Sequence, residues 1–332
     1  MARQIGVMCF GHTDSVVEIS FSKDCGSGFY LASAGLDGQS VLRHGDTGNF
    51  ICSQRKHEQG VWSVSLNEDA KILASGGGDS KARIWDAILG KQLFKYRHPD
   101  TVSSVHLNAE GSHLLTGCLG DEPSVRLYDV ENSNKRPLLE FRGHHRGVRD
   151  VIFCVKEHCI LSSSYDRTVR MWDCRTGKKT NSIVLPHHAK SIELNYTGDI
   201  VTISYGNGLI FLDPRNFVVL KHRKLPYKVS SATLNPSNDT YVCGNSEGYA
   251  YQYDFKTDVR RKDFFLSTQK SGVCCLRFSP DGEICAISNI NGNIVLWRQN
   301  MKKKYGLFTS TRSSEDDQDE EYEFGEEYEF SS

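Results

Sequence analysis

His57 and Asp79 stand 22 residues apart, and so do His144 and Asp166. Each pair brackets a serine, Ser75 or Ser162, and is followed six residues later by a tryptophan, Trp85 or Trp172. Histidine, serine and carboxylate are the side chains from which acid–base and nucleophilic sites are built, so a catalytic reading has to be weighed first. The chain has no HExxH and no GxSxG, and the glycine-rich segment Gly76 to Lys81 is not a phosphate-binding Walker loop. The His187-His188 pair has no carboxylate or cysteine cluster near it, which makes it a poor metal site. Eleven cysteines run from Cys9 to Cys285 without one CxxC pair, an arrangement that fits reduced, mostly buried thiols better than disulfides or zinc.

The elements that must position these residues are visible in their recurrence. Taking Trp172 as a marker, equivalent positions fall at Arg43, Trp85, Tyr128, Trp172, Leu212, Tyr253 and Trp297, with steps of 40 to 44 residues. Each unit carries alternating strand segments, such as VSSVHL and SVRLYD, separated by turn residues such as GDTG near Asp46. Seven units result, because a six-unit ring would leave some 40 residues around His187, Tyr196 to Asp199 and SYGNGLIFLD as an unexplained loop. A period of about 40 to 45 residues with GH and WD signatures resembles the WD40 repeat, in which four antiparallel strands make one blade. The resemblance predicts an all-β, seven-bladed propeller over residues 1–308. Ile5 to Phe10, ahead of the first Gly-His, has strand composition and is expected to pair as the outer strand of blade seven, removing two exposed sheet edges.

In WD40 proteins His, Ser, Asp and Trp form one hydrogen-bonded chain inside a blade. The resemblance therefore implies structural tetrads, His57, Ser75, Asp79 and Trp85 in blade two and His144, Ser162, Asp166 and Trp172 in blade four. Blade one keeps His12, Ser33 and Asp37 but has Arg43-His44 where Trp-Asp is usual. Blade three has Tyr128, and blade seven has Gln269 and Asn291 around Trp297.

Composition bounds the remaining choices. The 332 residues are 38% hydrophobic and 24% charged, no apolar run is long enough to span a membrane, and Met1 to Phe10 lacks signal-peptide character. The expected compartment is the cytosol, with the nucleus, and the sequons at Asn195 and Asn238 are then chance matches. Net charge is −1, but from Glu315 onward there are ten Asp or Glu and no Lys or Arg, which leaves the body at +9. Residues 309–332 read as an acidic disordered tail with EYEF twice, Glu321 to Phe324 and Glu327 to Phe330. Tyr322, Phe324, Tyr328 and Phe330 alternate with acids there, so in an extended strand each pair could add to a sheet edge.

Further segments narrow the family. LRHGDTG (Leu42 to Gly48), GVWSVSLNEDA (Gly60 to Ala70), KARIWDAILGKQL, SYG (Ser204 to Gly206), RFSPDGE and KKKYGLF resemble the serine-threonine kinase receptor-associated (unrip) family. That resemblance implies a non-enzymatic scaffold of the survival-of-motor-neuron complex. Its partners would be Gemin and Sm subunits during spliceosomal ribonucleoprotein assembly, with a second role in transforming-growth-factor-β receptor signalling. It implies no cofactor, metal or small-molecule substrate. Subunit i of eukaryotic translation initiation factor 3 is the alternative, through the VW segment of blade two and the EYEF end.

Contact residues are expected on loops. Trp62, early in blade two, is read as rim packing or a partner anchor, and Arg146, Arg149 and Tyr165 should gather beside His145 on the face carrying the loop into blade four. No run of exposed aromatics interleaves with the basic residues, which argues against RNA as the main ligand. Lys221 to Lys224, Arg260 to Lys262 and Lys302 to Lys304 read as solvated.

Overall fold

The computed structural model describes residues 6–26, 28–120, 124–131, 135–155, 158–265 and 271–299. The acidic residues from 309 on, with Tyr322, Phe324, Tyr328 and Phe330, lie outside the described residues, as do Gln269 and KKKYGLF.

Alternating segments such as Val148–Cys154 place every second side chain on one face, and both faces of these segments are largely apolar or small. A strand of that kind needs cover on both sides, and neighbouring blades supply it. Seven four-stranded antiparallel sheets follow in chain order, the innermost strand of each coming first, as in blade four with Val148–Cys154, Cys159–Ser164, Thr168–Asp173 and Lys179–Val184. Blade five, the weakest unit in sequence, is complete, from Ala189–Leu194 through Val201–Tyr205 and Gly208–Asp213 to Val218–Lys224.

The core is divided into seven apolar layers, each shared by two adjacent blades. Between blades four and five, Ile152, Leu161 and Met171 meet Ile192, Ile203 and Leu212. Between blades seven and one, Ile284, Ala286 and Leu296 meet Val16, Ile19 and Leu31. No blade buries its faces alone, which is why the unit must repeat and the ring must close.

Closure uses the N-terminal segment as expected. Val7–Cys9 pairs antiparallel with Ile294–Arg298, in the register Val7 to Leu296 and Cys9 to Ile294, and becomes the outer strand of blade seven. The LRHGDTG segment supports this seam, since Arg298 Nη2 donates to the Asp46 carbonyl at 3.1 Å. Arg43, standing where five of the other six blades have an aromatic ring, is 2% exposed. Its guanidinium donates to the carbonyls of Phe10 (2.5 Å) and Gly48 (3.3 Å), so a buried cation fastens the incoming strand to blade one.

Candidate functional site

The two tetrads form as implied. In blade four His144 Nδ1 donates to Asp166 Oδ2 at 2.9 Å, Ser162 Oγ lies 2.7 Å from His144 Nε2, and Trp172 Nε1 donates to Ser162 Oγ at 2.8 Å. The tryptophan N–H can only donate and the carboxylate only accept, so the chain fixes one neutral histidine tautomer. In blade two the distances are 2.8 Å from His57 to Asp79, 2.8 Å to Ser75, and 2.8 Å from Trp85 to Ser75. Burial lowers the His144 pKa, against the pull of Asp166. Burial tends to raise the carboxyls of Asp166 and Asp79, but hydrogen bonds from Thr168 and His144, and from His57 in blade two, hold both well below the usual carboxylate range. Gly77 makes room for this packing, because a Cβ there would stand 2.3 Å from His57 Nδ1. Ser162 and Ser75 are fully buried, so the hydroxyls that a catalytic reading would need are closed to substrate. These eight residues are framework.

The other blades show what happens when the pattern lapses. Blade three keeps a reduced version, with His98 Nε2 2.9 Å from Thr116 Oγ1 and 3.3 Å from Tyr128 OH. Blade seven has Ile287 opposite Val295, where blade four has Ser162, and the buried Trp297 indole N–H has no acceptor among the described residues.

The framework positions a second, more variable set. In every blade the innermost strand has a bulge at its second residue, between Val148 and Asp150 in blade four and between Val61 and Ser63 in blade two. The same irregularity occurs at Val17, Ser103, Lys190, Ser230 and Cys274. A bulge re-aims its side chain, and here seven of them ring one mouth of the central channel. Trp62 and Arg149 are both bulge residues, which brings two independently chosen candidates onto one structural position. Trp62 is 41% exposed, so it stands on the rim rather than in the core. Arg149 donates through Nη1 to Tyr165 OH and through Nε to the Lys190 carbonyl, both at 3.1 Å, and its guanidinium packs over the Tyr165 ring. His188 lies against the same ring at 5.0 Å. Arg146 is exposed on the adjoining loop, its carbonyl held by Ser164 Oγ at 2.7 Å. Arg146, Arg149 and Tyr165 therefore share one face, while Trp62 lies two blades away along the same mouth.

Sequence reasoning missed the bulge ring, although a signal existed. Val61-Trp62-Ser63, Val102-Ser103-Ser104, Val148-Arg149-Asp150, Ala189-Lys190-Ser191, Val229-Ser230-Ser231 and Val273-Cys274-Cys275 recur with the blade period as small apolar, variable, then polar or thiol. The third residue of that pattern, with its neighbours, joins the blades below the mouth. An innermost strand has a free edge of N–H groups, and the preceding blade supplies acceptors for it. Ser63 Oγ accepts from Val105 N (2.9 Å), Ser104 Oγ from Val151 N (3.1 Å), Asp150 Oδ2 from Ile192 N (3.1 Å) and Glu18 Oε2 from Val64 N (3.1 Å).

Below that ring the innermost strands line a cavity of about 740 Å³, with Glu18, Asp150, Glu193 and Arg277 among the lining residues. Arg277 lies 3.8 Å from Glu18 and 3.7 Å from Glu193, so one cation faces three carboxylates. Burial, then the charge of Asp150, push Glu18 up to about 7 against the opposing effect of Arg277. Glu193 is likewise raised to about 7, chiefly by burial.

The basic groups read as solvated are in part structural. Lys221 Nζ lies 2.7 Å and Arg223 Nη1 3.1 Å from Asp258 Oδ1, tying the outer strand of blade five to blade six. The long side chains reach across because the neighbouring turn presents an acid, a pairing invisible in a run of like charges. None of the eleven cysteines is in a disulfide, and six are buried.

Comparison with known proteins agrees with this architecture. The WD40 model, "WD domain, G-beta repeat", matches residues 48–86, 90–129, 135–173 and 262–298. The first match joins the outer strand of blade one to three strands of blade two, so the repeat is staggered against the blade. The chain is 33% identical over 314 residues to the human serine-threonine kinase receptor-associated protein, covering 95% of this chain and 88% of that one. The Dictyostelium discoideum protein of the same name is 31% identical over 294 residues, 88% of this chain and 98% of the relative. Translation initiation factor 3 subunit I of Scheffersomyces stipitis is 22% identical over 264 residues, 73% and 74% of the two chains.

Proposed function

This chain belongs to the serine-threonine kinase receptor-associated family of WD40 proteins, and from that premise we propose that it is a scaffold without turnover that gathers proteins of the survival-of-motor-neuron complex. Its work is the assembly of spliceosomal Sm ribonucleoproteins in the cytoplasm, with the nucleus as a second location. Gemin and Sm subunits are the partners of this reading, and a contribution to transforming-growth-factor-β receptor signalling follows from the same family likeness.

The observation that carries the scaffold reading is the mouth. A repeated frame of buried tetrads and inter-blade hydrogen bonds holds seven equivalent bulge positions that carry six residue types, serine alone occurring twice. Trp62 is an aromatic anchor there, and Arg149 with Lys190 a basic sector. Residue types enriched at interfaces thus stand on rigid strands, which lowers the ordering cost of binding.

Affinity purification of the tagged full chain, read by mass spectrometry, tests the partner assignment. Gemin-like and Sm proteins are expected. Recovery of initiation-factor subunits alone would overturn it in favour of the translation reading.

A further inference from the structure

The mouth is electrically uneven. The connections on this face from blade four to blade six comprise residues 143–149, 164–168, 185–190, 205–208 and 225–228. They carry five cations, Arg146, Arg149, Arg167, Lys190 and Lys228, against one carboxylate, Asp166, and the blade-six turn beside them adds a second, Glu247. Asp166 is paired with Arg170 at 3.6 Å, so its charge is already offset within the blade. Arg146, Arg167, Lys190 and Lys228 are exposed. Backbone hydrogen bonds hold these loops together, from Tyr165 N to Gly147 O (3.0 Å), Leu185 N to Arg167 O (2.8 Å) and Val229 N to Gly206 O (2.8 Å). The cations therefore stand on a fixed surface rather than on floppy connections.

We infer that this basic sector of the mouth, centred on Arg149 and Lys190, docks an extended acidic segment of a protein partner. The inference rests on the scaffold reading but not on which complex the partner belongs to. Charge is the first argument: a fixed cluster of one sign raises the local concentration of the opposite sign and orients the encounter. Charge-assisted bonds to carboxylates suit the exposed Arg146, Arg167, Lys190 and Lys228, and Arg149 is fixed among them by its bonds to Tyr165 and the Lys190 carbonyl. His188 reports the same field, since burial and then the charges of Lys190, Arg149 and His187 lower its pKa.

Aromatic geometry decides between peptide and nucleic acid. A single-stranded nucleic acid needs ring faces for its bases. Tyr165 is packed against Arg149 and His188, and Tyr227 is bonded to Tyr253 at 2.8 Å with its ring 5.0 Å from Tyr251. The rings of this sector are committed, whereas its cations are not buried. Carboxylates can use the cations without the rings.

The test uses the full chain and two labelled probes, an Asp/Glu-rich peptide without aromatics and an oligo-uridylate, followed by fluorescence anisotropy across a salt series. The chain's own acidic run is present in parent and variants alike, so differences read the mouth. Peptide binding should weaken as salt rises, and Arg146→Glu with Lys190→Glu should weaken it by about tenfold or more, since each exposed pair turns from attraction to repulsion. Arg175→Glu with Lys178→Glu, on the opposite face, should leave it within about twofold. Equal loss in both pairs, or no loss in the first, overturns the inference. Tighter oligo-uridylate binding that disappears with Arg146→Glu and Lys190→Glu overturns it in favour of nucleic acid. Failure to recover Gemin-like proteins would leave the peptide result standing, so the two readings fail separately. Circular dichroism and melting of each variant confirm that it is folded.

Discussion

Replacing Asp166 with alanine removes the acceptor that begins the blade-four chain. Four donors lose a partner: His144 Nδ1, the backbone N–H groups of His145 and Thr168, and Thr168 Oγ1. The turn is partly exposed, so water can replace the bonds to the backbone. His144 is only 6% exposed, and its buried ring N–H is left with the longer contact to Thr168 Oγ1, at 3.3 Å, in place of a charged acceptor. One such group costs about 1 to 3 kcal/mol, and the lost bonds to a charged acceptor bring the expected total to about 2 to 4 kcal/mol. For a chain of this size that corresponds to a fall in Tm of roughly 3 to 6 °C. Glu247→Ala serves as the control, since among the described residues Glu247 bonds through its backbone N–H, to Asn245, and that bond survives the change. The Asp166 carboxyl is held below its unfolded range, so its contribution is present above about pH 4 and is lost as pH falls through the folded value. Differential scanning fluorimetry at pH 7 and near pH 3 should therefore show a large difference between parent and Asp166→Ala at the first pH and a smaller one at the second. Equal shifts for Asp166→Ala and Glu247→Ala at pH 7 would refute the tetrad account.

Removing Met1 to Phe10 should lower Tm and increase aggregation, because Ile294–Arg298 becomes an open edge, and light scattering on heating would show it. Arg43→Met keeps an apolar filling but leaves the Phe10 and Gly48 carbonyls without a donor, so a loss of about 1 to 3 kcal/mol is expected by urea denaturation. Glu193→Gln should act in the opposite direction. The folded pKa of this carboxyl is raised to about 7, so ionisation in the channel destabilises increasingly as pH rises from about 4.5 through 7; the variant should melt higher than the parent at pH 8 and near it at pH 5.

Much of the ring was legible because blade chemistry is local. The 22-residue step from His144 to Asp166 and the recurring aromatic marker reflect contacts within one sheet, and a sheet of four short strands has little freedom of length. Blade five, with Leu212 at the marker and Ile203 at the serine position, could be placed only by the spacing around it. The mouth was half legible. Trp62 and Arg149 stood out by type, but their common position is set by a bulge, a backbone feature that alternation alone does not report. The acceptors that join the blades were hidden for a related reason. A serine such as Ser104 bonds to Val151, 47 residues on, and only the assembled ring brings the two together. Lys221 and Arg223 misled because a run of basic residues reads as solvated until Asp258 is placed opposite them.

The central claim is that rigid blades exist to present the variable mouth to protein partners. It is tested most directly by quantifying partners recovered on tagged full-length parent, on a Trp62→Ala, Arg146→Glu, Lys190→Glu variant, and on an Arg175→Glu, Lys178→Glu variant of the opposite face, each confirmed to melt normally. The account predicts that the mouth variant loses most of the partners that the parent and the opposite-face variant retain. Full recovery on the mouth variant, or a loss confined to the opposite face, would contradict it.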